Sequence, residues 1–313
     1  MSADGLGHVH TVFGLRIVAP VPLRWADAHG VLDPAYGTIT VDTVSTGGLD
    51  SMRDHPISVG DEACRLERLA DRRLLADTAD AGPFVLDGAS SHIDAPIESV
   101  TDPEWEHRLL AYALPYLLGE LGMLILHGAV VETAAGAVVI LGPSGRGKST
   151  LTMAAVGSGH RVLGDDGVRI TFDPADPGRP IAWPGLSAAR SVRHNAAGRV
   201  VGKDTHELPS QARCAQPLPV AAIVALSERS AGGSPLCHLG NRDRVGAILQ
   251  STFAERDSVA RVFPSVAALA RAVPVAKISV RDDRALVSAE LARILDVTLP
   301  VESDEASLAG SRR

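Results

Sequence analysis

Eight consecutive residues, Gly142-Pro143-Ser144-Gly145-Arg146-Gly147-Lys148-Ser149, fit the pattern G-x-x-x-x-G-K-[ST]. The chemistry this pattern serves is the binding of a triphosphate. Such an anion wants several backbone N–H groups aimed inward, and glycines let the chain curl without Cβ clashes. A helix starting at the lysine turns its positive end toward the anion. On this reading Lys148 reaches the β- and γ-phosphates, the Ser149 hydroxyl binds Mg²⁺, and Thr150 closes the nucleotide-contacting stretch. The rival is a plain glycine turn. A chance match in a chain this long is on the order of 1% from average residue usage. The flanking segments, GAVVIL before and STLTMAAV after, also read as the required strand and helix.

A nucleotide loop alone names no reaction. Asp165-Asp166 follow a short apolar run, RVLG, 17 residues after Lys148. That spacing fits one helix, a turn and a return strand, which brings both acids to the sheet edge that carries the loop. One carboxylate can help hold Mg²⁺ and the other can take a proton from an attacking hydroxyl. The bland alternative is a solvated turn. His127 ends an apolar run 21 residues before Lys148; by itself such a histidine reads as a structural residue. Downstream, Arg190, Arg193 and Lys203 fall in a stretch that reads as loop-rich, WPGLSAARSVRHNAAGRVVGKDTHEL. A cation aimed at a transferring phosphoryl would stabilise its charge, but most of these read as solvated surface cations. His194 and His206 read as surface residues.

The elements that must position these groups follow from the apolar pattern. From Met123 onward, short apolar runs alternate with glycine turns and helices, the texture of an α/β core with buried strands. Helices are expected over Asp243–Glu255, Ser265–Ala272 and Arg284–Leu295, with a strand at VAKISV. Residues 11 to about 98 read as β-rich: TVFGLRIVA and GTITVDTV alternate, and PFVLDGASSHIDAP carries the Asp87-Gly88 signature of a hairpin. The charged stretch Glu62–Asp77 fits either a short helix or a strand pair. Thr101-Asp102-Pro103-Glu104 signals a helix start. The domain plan is therefore a β-rich unit over 1–98, an α/β unit over 99–300 and a polar, disordered tail over 301–313.

Composition narrows the function classes. Net charge is -7 and aromatics are 4% of 313 residues, which argues against a nucleic-acid partner. Leu109–Val131 is long enough to span a bilayer, but Pro115, Gly119, Glu120, Gly122 and His127 interrupt it. It reads as a buried helix, a turn and a buried strand, so no membrane association is expected. Cys64, Cys214 and Cys237 lack zinc or redox spacing and suit a reducing cytoplasm. The N-terminus lacks the pattern of a signal peptide.

LHGAVV, LGPSGRGKST and VLGDDGV, in this order and spacing, resemble the catalytic domain of the HPr serine kinase family. The likeness is best over residues 123–172 and weaker to about 295. It implies an α/β fold in which a P-loop HPr-kinase-like catalytic domain follows a smaller β-rich N-terminal domain. It also implies ATP and Mg²⁺ as cofactors and a protein or peptide hydroxyl as acceptor. In the roles it implies, Asp165 is the base toward the acceptor, Asp166 supports Mg²⁺ or orients Asp165, and His127 lies near the transferring phosphate. Thr150 stands where the family carries glutamate, and the family's glycine-rich downstream segment is absent, so HPr itself is not carried over as substrate. The opening VFGLRIVAPVPL and the β-rich N-terminal part resemble HPr-kinase-like proteins of peptide-modifying gene clusters, some of which phosphorylate a lasso-peptide precursor. Self-association stays open, as do a small-metabolite acceptor and a nucleotide-binding scaffold without transfer.

Overall fold

In the computed structural model, residues 7–27, 30–45, 48–49, 64–78, 82–98, 100, 102–194, 200–228, 230, 232–281 and 284–296 are described. The polar tail over 301–313 lies outside them. The N-terminal part forms a seven-stranded sheet in the order β1-β2-β3-β7-β6-β5-β4. Its strands are β1 His8–Val12, β2 Leu15–Ala19, β3 Thr38–Val44, β4 Cys64–Arg68, β5 Leu74–Thr78, β6 Gly82–Asp87 and β7 His92–Pro96. Alternation sets β3, whose Ile39 and Val41 are buried between exposed neighbours. The Asp87-Gly88 turn joins β6 to β7 as an antiparallel pair. The charged stretch resolves as the antiparallel pair β4–β5, with Leu66, Leu74 and Leu75 buried.

Helix α1 follows, running Pro103–Arg108 in α geometry, Leu109–Ala113 in π geometry and Leu114–Glu120 in α geometry again. Asp102 caps it by accepting from the Glu104 amide at 2.8 Å; Thr101 lies outside the described residues. The π segment has a local cause. Pro115 has no N–H to give, and the Leu114 amide reaches back five residues to the Leu109 carbonyl. Trp105, Leu109, Leu110, Leu114, Leu117 and Leu118 are buried in one core with Phe13, Phe84 and Ile93 of the seven-stranded sheet. Gly122, with φ +79°, makes the turn that ends the helix region. The apolar stretch over 109–131 is thus helix, turn and strands. No helix among the described residues is long and apolar enough to cross a membrane.

The second sheet has nine strands. Its path is β11-β9-β10-β16-β13-β12-β8, with β18 joined to β16 and β17 to β18. The strands are β8 Leu124–Leu126, β9 Gly128–Thr133, β10 Gly136–Leu141, β11 Val162–Gly164, β12 Val168–Asp173, β13 Asp176–Trp183, β16 Leu218–Leu226, β17 Cys237–His238 and β18 Val275–Ile278. The pairs β10–β16 and β16–β18 are parallel. Period-two alternation along β10 sends Val139 and Leu141 to one core, shared with helices α3 Asn241–Gln250 and α4 Val259–Ala272. Val138 and Ile140 point to the other, shared with α2 Lys148–Gly157 and α5 Val287–Leu295. Helices α3 and α4 depart from expectation, α3 ending at Gln250 and α4 starting six residues before Ser265. Pro264 is accommodated inside α4 because it and Ala260, whose carbonyl loses its helical partner, are both exposed to solvent.

One topological feature decides where the chemistry falls. β8 and β9 are separated by His127 alone, yet they lie near opposite ends of the strand order. A single linking residue spans at most about 7 Å, so the sheet must curl until its ends approach. The link from β11 to β12, residues 165–167, crosses the same seam. The seven-stranded sheet abuts this seam. Phe13, in the β1–β2 turn, packs on Gly167 and Gly185, where an added Cβ would come within 3.1 and 3.0 Å of its ring. Arg169, fully buried, donates to the Phe13 carbonyl at 2.9 Å and to Asp33 at 2.6 Å, and stacks on Tyr36 and Trp183.

Candidate active site

The Gly142–Ser149 loop leaves the carboxyl end of β10, beside the parallel strand β16, where ligands of open α/β sheets bind. Gly142, Gly145 and Gly147 have φ of +151°, +82° and +104°, values that side chains with a Cβ rarely adopt. Gly142 also passes close to Leu226, whose Cβ and carbonyl oxygen stand 3.1 Å from where its own Cβ would be. Gly147 precedes the first turn of α2, so the amides that open α2 face the loop. The Lys148 side chain is buried and folds over the loop, donating to the Gly142 carbonyl at 2.6 Å and the Pro143 carbonyl at 3.3 Å. Pro143, Ser144, Gly145 and Thr150 are exposed, and Arg146 pairs with Glu228 at 3.0 Å. Together the amides, α2 and Lys148 present a positive, concave backbone to an anion.

Asp165 and Asp166 stand in the β11–β12 link and face opposite ways. Asp165 is 1% exposed and turns toward α2. Its carboxylate accepts from the Thr152 hydroxyl at 3.2 Å and the Arg190 amide at 3.3 Å, and it also hydrogen-bonds the Ser149 side chain. Burial pushes its proton affinity up to about 6, and the neighbouring Asp166 charge adds to this. Ser149, the Arg190 amide and the Lys148 charge pull the other way. Asp166 has φ +65°, a left-handed conformation unusual for aspartate. Burial would raise it, but hydrogen bonds and charge from His107 and His127 prevail and hold its carboxyl well below the usual range. Two adjacent acids thus carry opposite proton affinities, as acid–base sites arrange them.

His127 crosses the seam with its amide donating to the Ser251 carbonyl at 2.6 Å and its ring against Phe253. Its Nε2 lies 3.8 Å from Asp166 Oδ1. The other oxygen of Asp166 meets His107 Nε2 at 3.1 Å. His107 is wedged between Trp25 and Tyr112, and burial lowers its proton affinity despite Asp166. Arg190 Nη1 approaches His107 Nδ1 at 3.3 Å, which leaves Nε2 as the nitrogen donating to Asp166. Arg190 Nη2 is held by both oxygens of Glu104 at 2.9 Å.

Sequence spacing sets Asp165 and Asp166 beside the Lys148–Ser149 loop, and the resemblance adds His127; the fold places Ser149 and Lys148 by Asp165 and His127 by Asp166. The stretch read as loop-rich is instead an antiparallel ribbon, β14 Ala188–His194 and β15 Val200–Glu207. It crosses beside α2 because β14 hydrogen-bonds Asp165. Arg190 corrects the surface-cation reading: it is 7% exposed and committed to Glu104. His206 is exposed and pairs with Ser191 at 2.6 Å. Lys203, also exposed, donates to the Ser144 hydroxyl at 3.2 Å. The side chains of Arg193 and His194 lie outside the described residues. Glu104 and His107 escaped the sequence reading; their signal was polar residues on the apolar face of α1. The two oxygen donors expected for Mg²⁺ are not equivalent. The Ser149 hydroxyl reaches Asp165, whereas Asp166 is oriented by the histidines. A recess of about 590 Å³ lined by Glu132, His160 and Asp296 lies at the opposite end of β10 and holds none of these groups.

No family model matches the chain. It is 26% identical over 168 residues to the HPr kinase/phosphorylase of Stenotrophomonas maltophilia (strain K279a), a weak homology covering 53% of this chain. The match takes in 45% of the relative, so the chain spans less than half the length of the curated protein it matches. Among solved structures the chain is similar to the Hpr(Ser) kinase/phosphatase from Coxiella burnetii, at 13% identity and a TM-score of 0.32. That likeness covers 55% of this chain and 94% of the other.

Proposed function

We propose that the chain is an ATP-dependent phosphotransferase, HPr-kinase-like, that phosphorylates a serine or threonine hydroxyl of a protein or peptide. The observation that carries this reading is the meeting of Ser149 and Asp165 beside Lys148, from segments that the sheet's seam brings together. The homology to an HPr kinase/phosphorylase supports the same class of reaction. The triphosphate lies on the 142–150 stretch, which includes Pro143, Ser144, Gly145, Arg146 and Thr150, with Lys148 toward its β- and γ-phosphates. The acceptor oxygen attacks the γ-phosphorus in line as the bond to the β–γ bridging oxygen breaks, and the electron pair leaves on ADP. Asp165, with proton affinity near the operating pH, takes the hydroxyl proton. Most of the acceleration comes from positioning and charge stabilisation.

Mg²⁺ arriving with the triphosphate would be held by the Ser149 hydroxyl, which here bonds Asp165, and by Asp166 once its carboxylate turns from the histidines toward the loop. The fit is chemical: both are hard oxygen donors, and Asp166 stays ionised at any physiological pH. Mg²⁺ typically takes one or two carboxylates beside substrate phosphates, and it would supply neutralisation of phosphate charge. His127 orients Asp166 from the side nearer solvent. A scaffold that only bound nucleotide would need one metal-holding acid, and a second with raised proton affinity favours transfer. We read residues 99–300 as the catalytic unit, 1–98 as the β-rich unit and the cytoplasm as its compartment, in keeping with free Cys64, Cys214 and Cys237. The acceptor class includes a lasso-peptide precursor, on the strength of the VFGLRIVAPVPL opening. Incubation with γ-labelled ATP against serine peptides, precursor peptides and small hydroxyl metabolites tests the reading. Label on a peptide is expected; ADP formation that no acceptor stimulates would refute it.

A further inference from the structure

Two cations of the 188–207 ribbon, Arg190 and Lys203, and one of the loop itself, Arg146, stand near the phosphate-binding stretch, and their partners separate them. Arg190 is buried and held by both oxygens of Glu104, so its charge is already compensated. Arg146, within the loop, is paired with Glu228. Lys203 is exposed, and its ammonium donates to the neutral hydroxyl of Ser144 at 3.2 Å. Ser144 directly follows Gly142 and Pro143, the two residues whose carbonyls the Lys148 ammonium touches. Lys148 and Lys203 therefore meet one short stretch of loop, residues 142–144. The ribbon also has a fixed origin, because the Arg190 amide donates to Asp165. Lys203, opposite Val192, is two residues along from Arg190, about 7 Å at the rise of a strand.

We propose that Lys203 is a further catalytic residue, a cation delivered in the same chain by the β14–β15 ribbon onto the phosphoryl group being transferred. The inference rests on the phosphotransfer reading above. A phosphoryl held by Lys148 lies beside Gly142 and Pro143, and the Lys203 ammonium touches the next residue of that stretch, Ser144. Charge gathers on the equatorial oxygens of that group and on the departing β–γ bridging oxygen as the bond breaks. An exposed ammonium bonded to a neutral hydroxyl supplies compensation without an ion pair to break, which the buried Arg190 does not offer.

The test compares wild type, Lys203→Ala and Lys203→Arg by calorimetric titration with MgADP and with MgADP plus aluminium fluoride, a mimic of the transferring group. Losing one charge-assisted hydrogen bond is expected to weaken binding of the mimic by about 10- to 100-fold in Lys203→Ala. MgADP binding is expected to change by less than about twofold, and Lys203→Arg to recover most of the loss. Circular dichroism of this exposed variant is expected to match wild type. Equal weakening of both ligands would mean that Lys203 only braces the loop, and no weakening of either would remove it from the site; each overturns the proposal. Wild type that binds neither ligand would instead overturn the phosphotransfer reading beneath it.

Discussion

Replacing Asp165 with asparagine removes one buried charge and keeps the shape of the side chain. Between an ordinary 3.8 and the folded value of about 6, ionising Asp165 at pH 8 disfavours the folded state by about 3 kcal/mol. Asparagine escapes that penalty but gives up one acceptor oxygen among the Thr152, Ser149 and Arg190 donors, a loss of about 1 kcal/mol. The variant is thus expected to be more stable than wild type by about 2 kcal/mol at pH 8. The sign with pH follows from the direction of the shift. A carboxyl raised on folding contributes stability that is complete below its unfolded value and is lost as pH rises through the folded one. By pH 5 the penalty shrinks to about 1.5 kcal/mol, and the advantage falls to about 0.5 kcal/mol. Urea denaturation of both proteins at pH 5 and pH 8, with chelator present, measures the gap. The same variant is expected to bind MgATP and to lose transfer. A variant less stable than wild type at pH 8, or a gap indifferent to pH, would refute the buried-charge account. Full transfer activity would remove Asp165 as base.

Other consequences are equally concrete. Lys148→Ala is expected to weaken MgATP binding by about 100-fold, since charge-assisted bonds to phosphate are lost, and titration with a fluorescent ATP analogue reads this directly. Asp33→Ala leaves the fully buried Arg169 without its carboxylate, and a loss of about 3 kcal/mol is expected by chemical denaturation. Gly119→Ala would place a Cβ 2.2 Å from the Phe253 carbonyl oxygen. The expected destabilisation is about 2 kcal/mol or more. A fall in transfer should accompany it, because Phe253 pairs with Ile125 and packs on His127; a thermal melt and a transfer assay together check this.

Much of the local structure was legible because it is written in near-neighbour chemistry. The hairpin at Asp87-Gly88, the strand alternation of GTITVDTV and the strand–loop–helix around Gly142–Ser149 each follow from residues a few positions apart. The ribbon over 188–207 was not legible. Its alternation is weak, and what holds it in place, the Arg190 amide on Asp165 and the Arg190 guanidinium on Glu104, comes from segments 25 and 86 residues away. Nor could spacing reveal that His107 meets Asp166 and Glu104 holds Arg190, since a helix face is chosen only when its partner is known. The start of α4 eluded the pattern for a different reason: Pro264 marks a boundary by rule, and exposure lifts that rule here.

By itself the sequence determined the identities and the order of the chemical groups: a glycine loop able to curl, a lysine and serine at a helix start, two acids after a strand, a histidine before a glycine. Tertiary structure alone decided that Asp165 is sealed against α2 while Asp166 turns to His107 and His127, and so gave two identical side chains opposite proton affinities. The physical reason is that proton affinity depends on burial and on neighbouring charge, and both are set by a curled sheet whose distant strands meet at one seam.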